Sequence, residues 1–105
     1  FPADSVISCG DIRLDSVSHR VFVSEHEIKL TKTEFAILKI LMQNEENVVT
    51  KTFILDSISL DTPDCVESSL KVHISNIRKK LRLYSEKEYI EAVWGIGFKF
   101  NSHVS

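Results

Sequence analysis

Cysteine, methionine and long apolar runs are scarce in this sequence, and each scarcity removes a class of protein. Only two cysteines occur, Cys9 and Cys65. They lie far apart and form no CxxC pair, which argues against a disulfide framework or a thiolate zinc site and leaves reduced thiols in a cytoplasm as the expectation. No apolar run approaches the ~20 residues of a membrane-spanning helix. Residues 1–5 have neither the basic start nor the apolar stretch of a secretory signal. The single methionine is Met42, so Phe1 is not a translation start and the chain reads as a domain of a longer protein. A glycine-rich phosphate loop after a strand is missing, and no nucleophile, base and orienting group recur at motif spacing, so an enzyme is the weakest option. Cys65 and His73 stand two turns apart on an expected helix and do not make a pair. His19, His26 and His103 lack ligand-like spacing; neither a metal nor a cofactor is expected.

What is present is an ordinary globular composition: 105 residues, 43% hydrophobic and 27% charged. That length supports one core, not two. The expected division is a linker remnant over 1–5, one domain over 6–101 and a tail over 102–105. No internal repeat or low-complexity run interrupts the domain. The formal net charge is -2, but it is unevenly spread. Residues 68–82 hold Lys71, Arg78, Lys79, Lys80 and Arg82 without a single acid, leaving a net of -7 on the rest. Positive charge is concentrated on one segment.

Along the chain, Ile12 and Leu14 alternate with Asp11, Arg13 and Asp15, followed by Val21 to Val23 and by Ile28 with Leu30. Separated by polar breaks, these predict a small antiparallel sheet between Ile7 and Leu30. Thr31 and Glu34 then have capping-box spacing, with Leu30 and Phe35 placed for a hydrophobic staple, and predict a helix to about Gln43. Phe35, Leu38, Leu41 and Met42 give it an apolar stripe. Thr50 caps a second, shorter helix carrying Phe53, Ile54, Leu55 and Ile58. Residues 59–64 break the pattern. A third helix follows to about Tyr84, its start set either by Asp64 and Glu67 at capping-box spacing or by Pro63 in a first turn after Thr62. YIEAVWGIGFKF, with Gly95 and Gly97, reads as a terminal hairpin.

On a wheel of ~100° per residue, Val66, Leu70, Ile74, Ile77 and Leu81 of the third helix fall in a band about 80° wide. Opposite them lie Ser68, Lys71, Val72, Ser75, Asn76, Lys79 and Arg82, with His73, Arg78 and Lys80 on the flanks. Such a face suits the DNA major groove, which admits one helix and offers base-edge donors, acceptors and thymine methyls between rows of phosphates. Asn76 can read adenine, Ser69 or Ser75 can bond base edges, and Val72 can touch a thymine methyl. Lys79, Lys80, Arg78 and Arg82 suit phosphates, and Lys71 either kind of group. Charged helix faces are usually only solvated, so the wheel alone does not decide. The lack of acid over this segment, the short helix before it and the aromatic hairpin after it tip the balance.

The segments LTKTEF, VVTK, VHISNIRKKL and AVWGIGFKF resemble the marker segments of the OmpR/PhoB-type winged-helix DNA-binding domain of bacterial response regulators, in the same order, from about Ile7 to Phe100. The resemblance implies an α+β fold: a winged helix-turn-helix with an N-terminal four-stranded antiparallel sheet, three helices and a C-terminal β-hairpin wing. It also implies sequence-specific binding of double-stranded DNA, with a recognition helix over about 66–82 in the major groove and a wing over about 89–100 at the minor groove or backbone. Positions that contact DNA in relatives fall on Ser68, Ser69, Val72, His73, Ser75, Asn76 and Arg78, with wing positions Ala92 and Trp94. Pairing as a homodimer on repeated half-sites, RNA polymerase as a further partner and an upstream receiver domain are implied with it. Ser68 and Ser75 stand where arginine is frequent, Lys71 where aspartate is frequent and Trp94 where many relatives carry arginine. Fewer arginines mean fewer bidentate guanine contacts, so the target sequence does not transfer. The 59–64 connection is also short and lacks a tryptophan common there.

Read for packing alone, Trp94 is expected as an anchor at the base of the wing, since large aromatics dominate small cores. His73 is expected to make a hydrogen bond or a phosphate contact. Lys32, Thr33, Lys51 and Thr52 sit at helix N-termini, where amides favour anions; solvation accounts for them equally well. The alternative function is a winged helix that serves protein–protein interaction with little DNA affinity, favoured by sparse arginines and an acidic remainder and opposed by the cationic face.

Overall fold

The computed structural model describes residues 6–59, 67–84 and 89–101 of the chain. Seven strands and three helices follow in the order β1 (Val6–Cys9), β2 (Ile12–Asp15), β3 (Arg20–Val23), β4 (His26–Ile28), α1 (Lys32–Gln43), β5 (Val48–Thr50), α2 (Lys51–Ile58), α3 (Glu67–Arg82), β6 (Ile90–Val93) and β7 (Gly97–Phe100). The strands form two antiparallel sheets, one ordered β1-β2-β3-β4 and one ordered β5-β7-β6.

In the first sheet, period-2 alternation sets the register. Ile12 pairs with Val23 and Leu14 with Val21, and all four are buried while Arg13 between them is exposed. A one-residue slip would turn all of these aliphatic side chains to solvent. The predicted cap of α1 is present in both directions: Glu34 N–H donates to Thr31 Oγ1 at 3.2 Å, and Thr31 N–H donates to Glu34 Oε1 at 3.1 Å. The helix ends at Gln43, where the sequence pattern ends it. Its buried set is wider than the expected stripe, adding Ile37 and Ile40, because it is covered on several sides by α2, α3, β1 and β7.

Thr50 caps α2 by accepting the Phe53 N–H at 3.1 Å. Of the apolar residues of α2, Ile54 and Ile58 are buried whereas Phe53 is half exposed. Strand β5 was not expected from the sequence. Val48 to Thr50 carry a helix cap and lie beside polar Asn44 to Asn47, and only pairing with β7 makes them a strand. The capping candidates for α3, Thr62, Pro63 and Asp64, and the expected inward residue Val66 lie outside the described residues, as do residues 1–5 and 102–105.

Leu70, Ile74, Ile77 and Leu81, the described members of the expected inward band of α3, are all buried. They join Leu38, Leu41, Ile54 and Phe100 in a single core. Tyr89 and Phe100 stack at 5.8 Å, and the Asn101 N–H donates to the Tyr89 carbonyl at 2.7 Å, fixing the base of the wing beside α1.

Candidate nucleic-acid interface

The inward seam of α3 fixes which residues face out. Lys71, Val72, Ser75, Lys79 and Arg82 are exposed; Ser69, His73, Asn76 and Arg78 are half-buried at the flanks of the face. Val72 is 57% exposed, an apolar side chain among cations and short polar groups. The backbone of Ser68 belongs to α3, but its side chain lies outside the described residues. Lys79, Lys80 and Arg82 also occupy the last helical turn, where positive charge is favoured by the carbonyl end of the helix dipole.

Lys80 departs from its expected role as a phosphate ligand. Its ammonium lies 2.6 Å from Glu34 Oε1, and that carboxylate is buried, with only 3% of the residue exposed. A carboxylate taken from water needs a counter-charge, so Lys80 is drawn inward to bridge α1 and α3. Spacing made Glu34 legible as a capping residue; nothing along the chain marked it as the partner of a lysine 46 residues away.

Trp94 is the second correction. The indole is 97% exposed, so it is no packing anchor; Tyr89 and Phe100 take that place. It stands in the turn joining β6 to β7, where the Ile96 N–H donates to the Val93 carbonyl at 3.0 Å and Gly95 has φ +76°. A third turn residue with positive φ is a role glycine fills without strain. Between α3 and this wing runs a cleft of about 480 Å³, lined by Lys71, Ser75 and Arg78 from α3, by Ala92, Trp94 and Gly95 from the wing, and by Lys51 from α2. Lys51, at the first turn of α2, thus lines the same cleft as the outward residues of α3. Lys32 opens instead on a separate cleft beside Phe35 and Phe53.

Cys9 is buried, and its Sγ lies 3.7 Å from the Met42 carbonyl. Burial, reinforced by the neighbouring Glu45 and Glu46, pushes its thiol up to about 12. Cys65 lies outside the described residues. Among the described residues no cluster of three or more histidine, cysteine or acidic side chains is placed to hold a metal, and no helix is long and apolar enough to cross a membrane.

Helix-turn-helix elements, an outward cationic third helix and a flanking hairpin define the winged helix-turn-helix class. The chain belongs to the family described as transcriptional regulatory protein, C terminal, whose pattern matches residues 25–100, the OmpR/PhoB-type effector domain. It is 32% identical over 98 residues to the phosphate regulon transcriptional regulatory protein PhoB of Rhizobium meliloti, covering 93% of this chain and 43% of that protein. Response regulator DrrB of Thermotoga maritima, an OmpR/PhoB homologue, superposes with a TM-score of 0.77 at 30% identity, over 92% of this chain and 44% of DrrB. The DNA-binding domain of Klebsiella pneumoniae RstA, solved in complex with the RstA box, superposes with a TM-score of 0.78 at 27% identity, over 93% of this chain and 98% of that domain. The chain therefore spans less than half the length of the curated relatives it matches.

Proposed function

We propose that this chain is the DNA-reading part of a response-regulator-type transcription factor, binding double-stranded DNA sequence-specifically with α3 in the major groove and the wing at the adjacent minor groove or backbone. The observation that carries this reading is the outward face of α3: cations, short hydrogen-bonding groups and one valine, exposed along the helix and continuous with the wing through a shared cleft. In the division of labour, Asn76, Ser75, Ser68 and Ser69 read base edges and Val72 meets a thymine methyl. Lys79, Arg78, Arg82 and His73 meet phosphates, Lys71 takes either kind of group, and Trp94 acts from the wing. The RstA DNA-binding domain, solved in complex with its box, supports DNA binding by a chain of this fold. Residues 6–101 act as the unit, with 1–5 as linker remnant and 102–105 as tail. The proposal extends to homodimeric pairing on repeated half-sites, contact with RNA polymerase, an upstream receiver and a cytoplasmic setting, for which the family likeness is the support.

The test is titration of selected and random duplexes with single variants. Asn76→Ala or Ser75→Ala is expected to weaken the selected site more than random DNA, by roughly 1–3 kcal/mol for a good base contact, while Lys79→Ala weakens both alike. Equal losses for all three would contradict the assignment. A wild-type chain that binds no duplex at low salt would leave the protein-interaction reading in its place.

A further inference from the structure

From Ala92 to Gly97 the wing tip reads AVWGIG, without a charged residue. Trp94 is nonetheless 97% exposed and Ile96 53% exposed. Tryptophan is highly buried on average, so a bare indole beside a second exposed apolar side chain marks a contact surface. The turn holds both outward, and neither belongs to the core cluster.

Trp94 shares its cleft with Lys71, Ser75 and Arg78 of α3. Cations on one wall and an apolar tip on the other match a duplex edge, which offers phosphate rows to the first and sugar edges and base faces to the second. A wing arginine would hold the same groove through charge; this tip has none to offer.

We propose that Trp94 and Ile96 form an apolar wedge that enters the minor groove beside the α3 site, partly unstacks one base step and bends the duplex. The wedge rests on duplex binding by α3. Apolar side chains inserted between base steps kink DNA in this way, and pyrimidine–purine steps open most readily, so the wedge favours sites with such a step under the wing. It releases no counterions, and its share of the affinity is independent of salt.

Trp94 is the only tryptophan of the chain, so intrinsic fluorescence reports on it directly. The experiment uses the full 105-residue chain and a selected duplex with donor and acceptor dyes at its ends. Addition of duplex is expected to quench the emission and protect the indole from acrylamide. Trp94→Ala should lower affinity about tenfold, reduce the bend seen by energy transfer and leave the slope of log K against log salt unchanged. Ile96→Ala should act in the same direction with a smaller loss, and Trp94→Arg should steepen the slope by about one. Far-ultraviolet circular dichroism confirms that each variant is folded. Wild-type affinity and bend in Trp94→Ala, with the indole open to acrylamide in the wild-type complex, would overturn the wedge while leaving duplex binding by α3 in place. No duplex binding by the wild-type chain at low salt would overturn both.

Discussion

Lys79 and Lys80 are neighbours in sequence with opposite fates. The helical period turns Lys79 to solvent and swings Lys80 toward the buried carboxylate of Glu34. Lys80→Ala should therefore leave Glu34 buried and unpaired. A third of the lysine side chain remains exposed, so the expected loss in urea-unfolding stability is about 2–3 kcal/mol, below the ~3–5 of fully buried pairs. Lys79→Ala should change stability by less than about 0.5 kcal/mol and act on duplex affinity instead. Cys9 gives a pH prediction. Its folded-state pKa lies above the ordinary value of 9.0, at about 12, chiefly through burial. The stabilisation it lends the fold is fully present below pH 9 and is lost as pH rises toward about 12, because the unfolded chain releases that proton first. Unfolding midpoints across this range, set against Cys9→Ala, should diverge in that sense. In a Cys65→Ser background, Cys9 should resist alkylation at pH 8 until the chain unfolds.

At the scale of elements, the two wing glycines do different work. Gly95 needs its positive φ, and nothing lies within 4 Å of an added Cβ, so Gly95→Ala should cost only the backbone strain, about 1 kcal/mol. Gly97 is paired with Thr50, and a Cβ there would overlap the Val49 carbonyl oxygen and sit 2.8 Å from Thr50 Cα. Those are backbone atoms of β5, which cannot swing aside as a side chain would. Gly97→Ala should cost about 3 kcal/mol, the upper end for overpacking, and separate β5 from β7. Thermal unfolding of the two variants side by side checks the contrast, and similar losses would contradict it.

At the scale of the whole molecule, the charge is arranged for one partner of one sign. The exposed face offers Lys71, Arg78, Lys79 and Arg82, with Lys51 at the edge of the cleft, while the remainder of the chain is acidic and keeps anionic surfaces from docking elsewhere. With about four phosphates neutralised, log K for duplex binding should fall against log salt with a slope of roughly -3 to -5 per domain. A slope near zero would mean that affinity does not come from this face. Anisotropy titrations over a range of salt measure it.

The sequence by itself determined several features that repeat or cap locally. The alternation of β2 and β3, the Thr31 and Thr50 caps, the inward seam of α3 and the four marker segments depend on neighbours within a few residues, and the family could be read from them. Tertiary structure alone decided what depends on contacts distant along the chain. It made Val48 to Thr50 a strand by supplying β7 as partner, and it removed Lys80 from the phosphate-binding set by placing Glu34 beneath it. It also turned Trp94 out, since Tyr89 and Phe100 already fill the space at the base of the wing. Helical and strand periodicity says which side of an element faces inward; which groups meet there is set only when the elements pack.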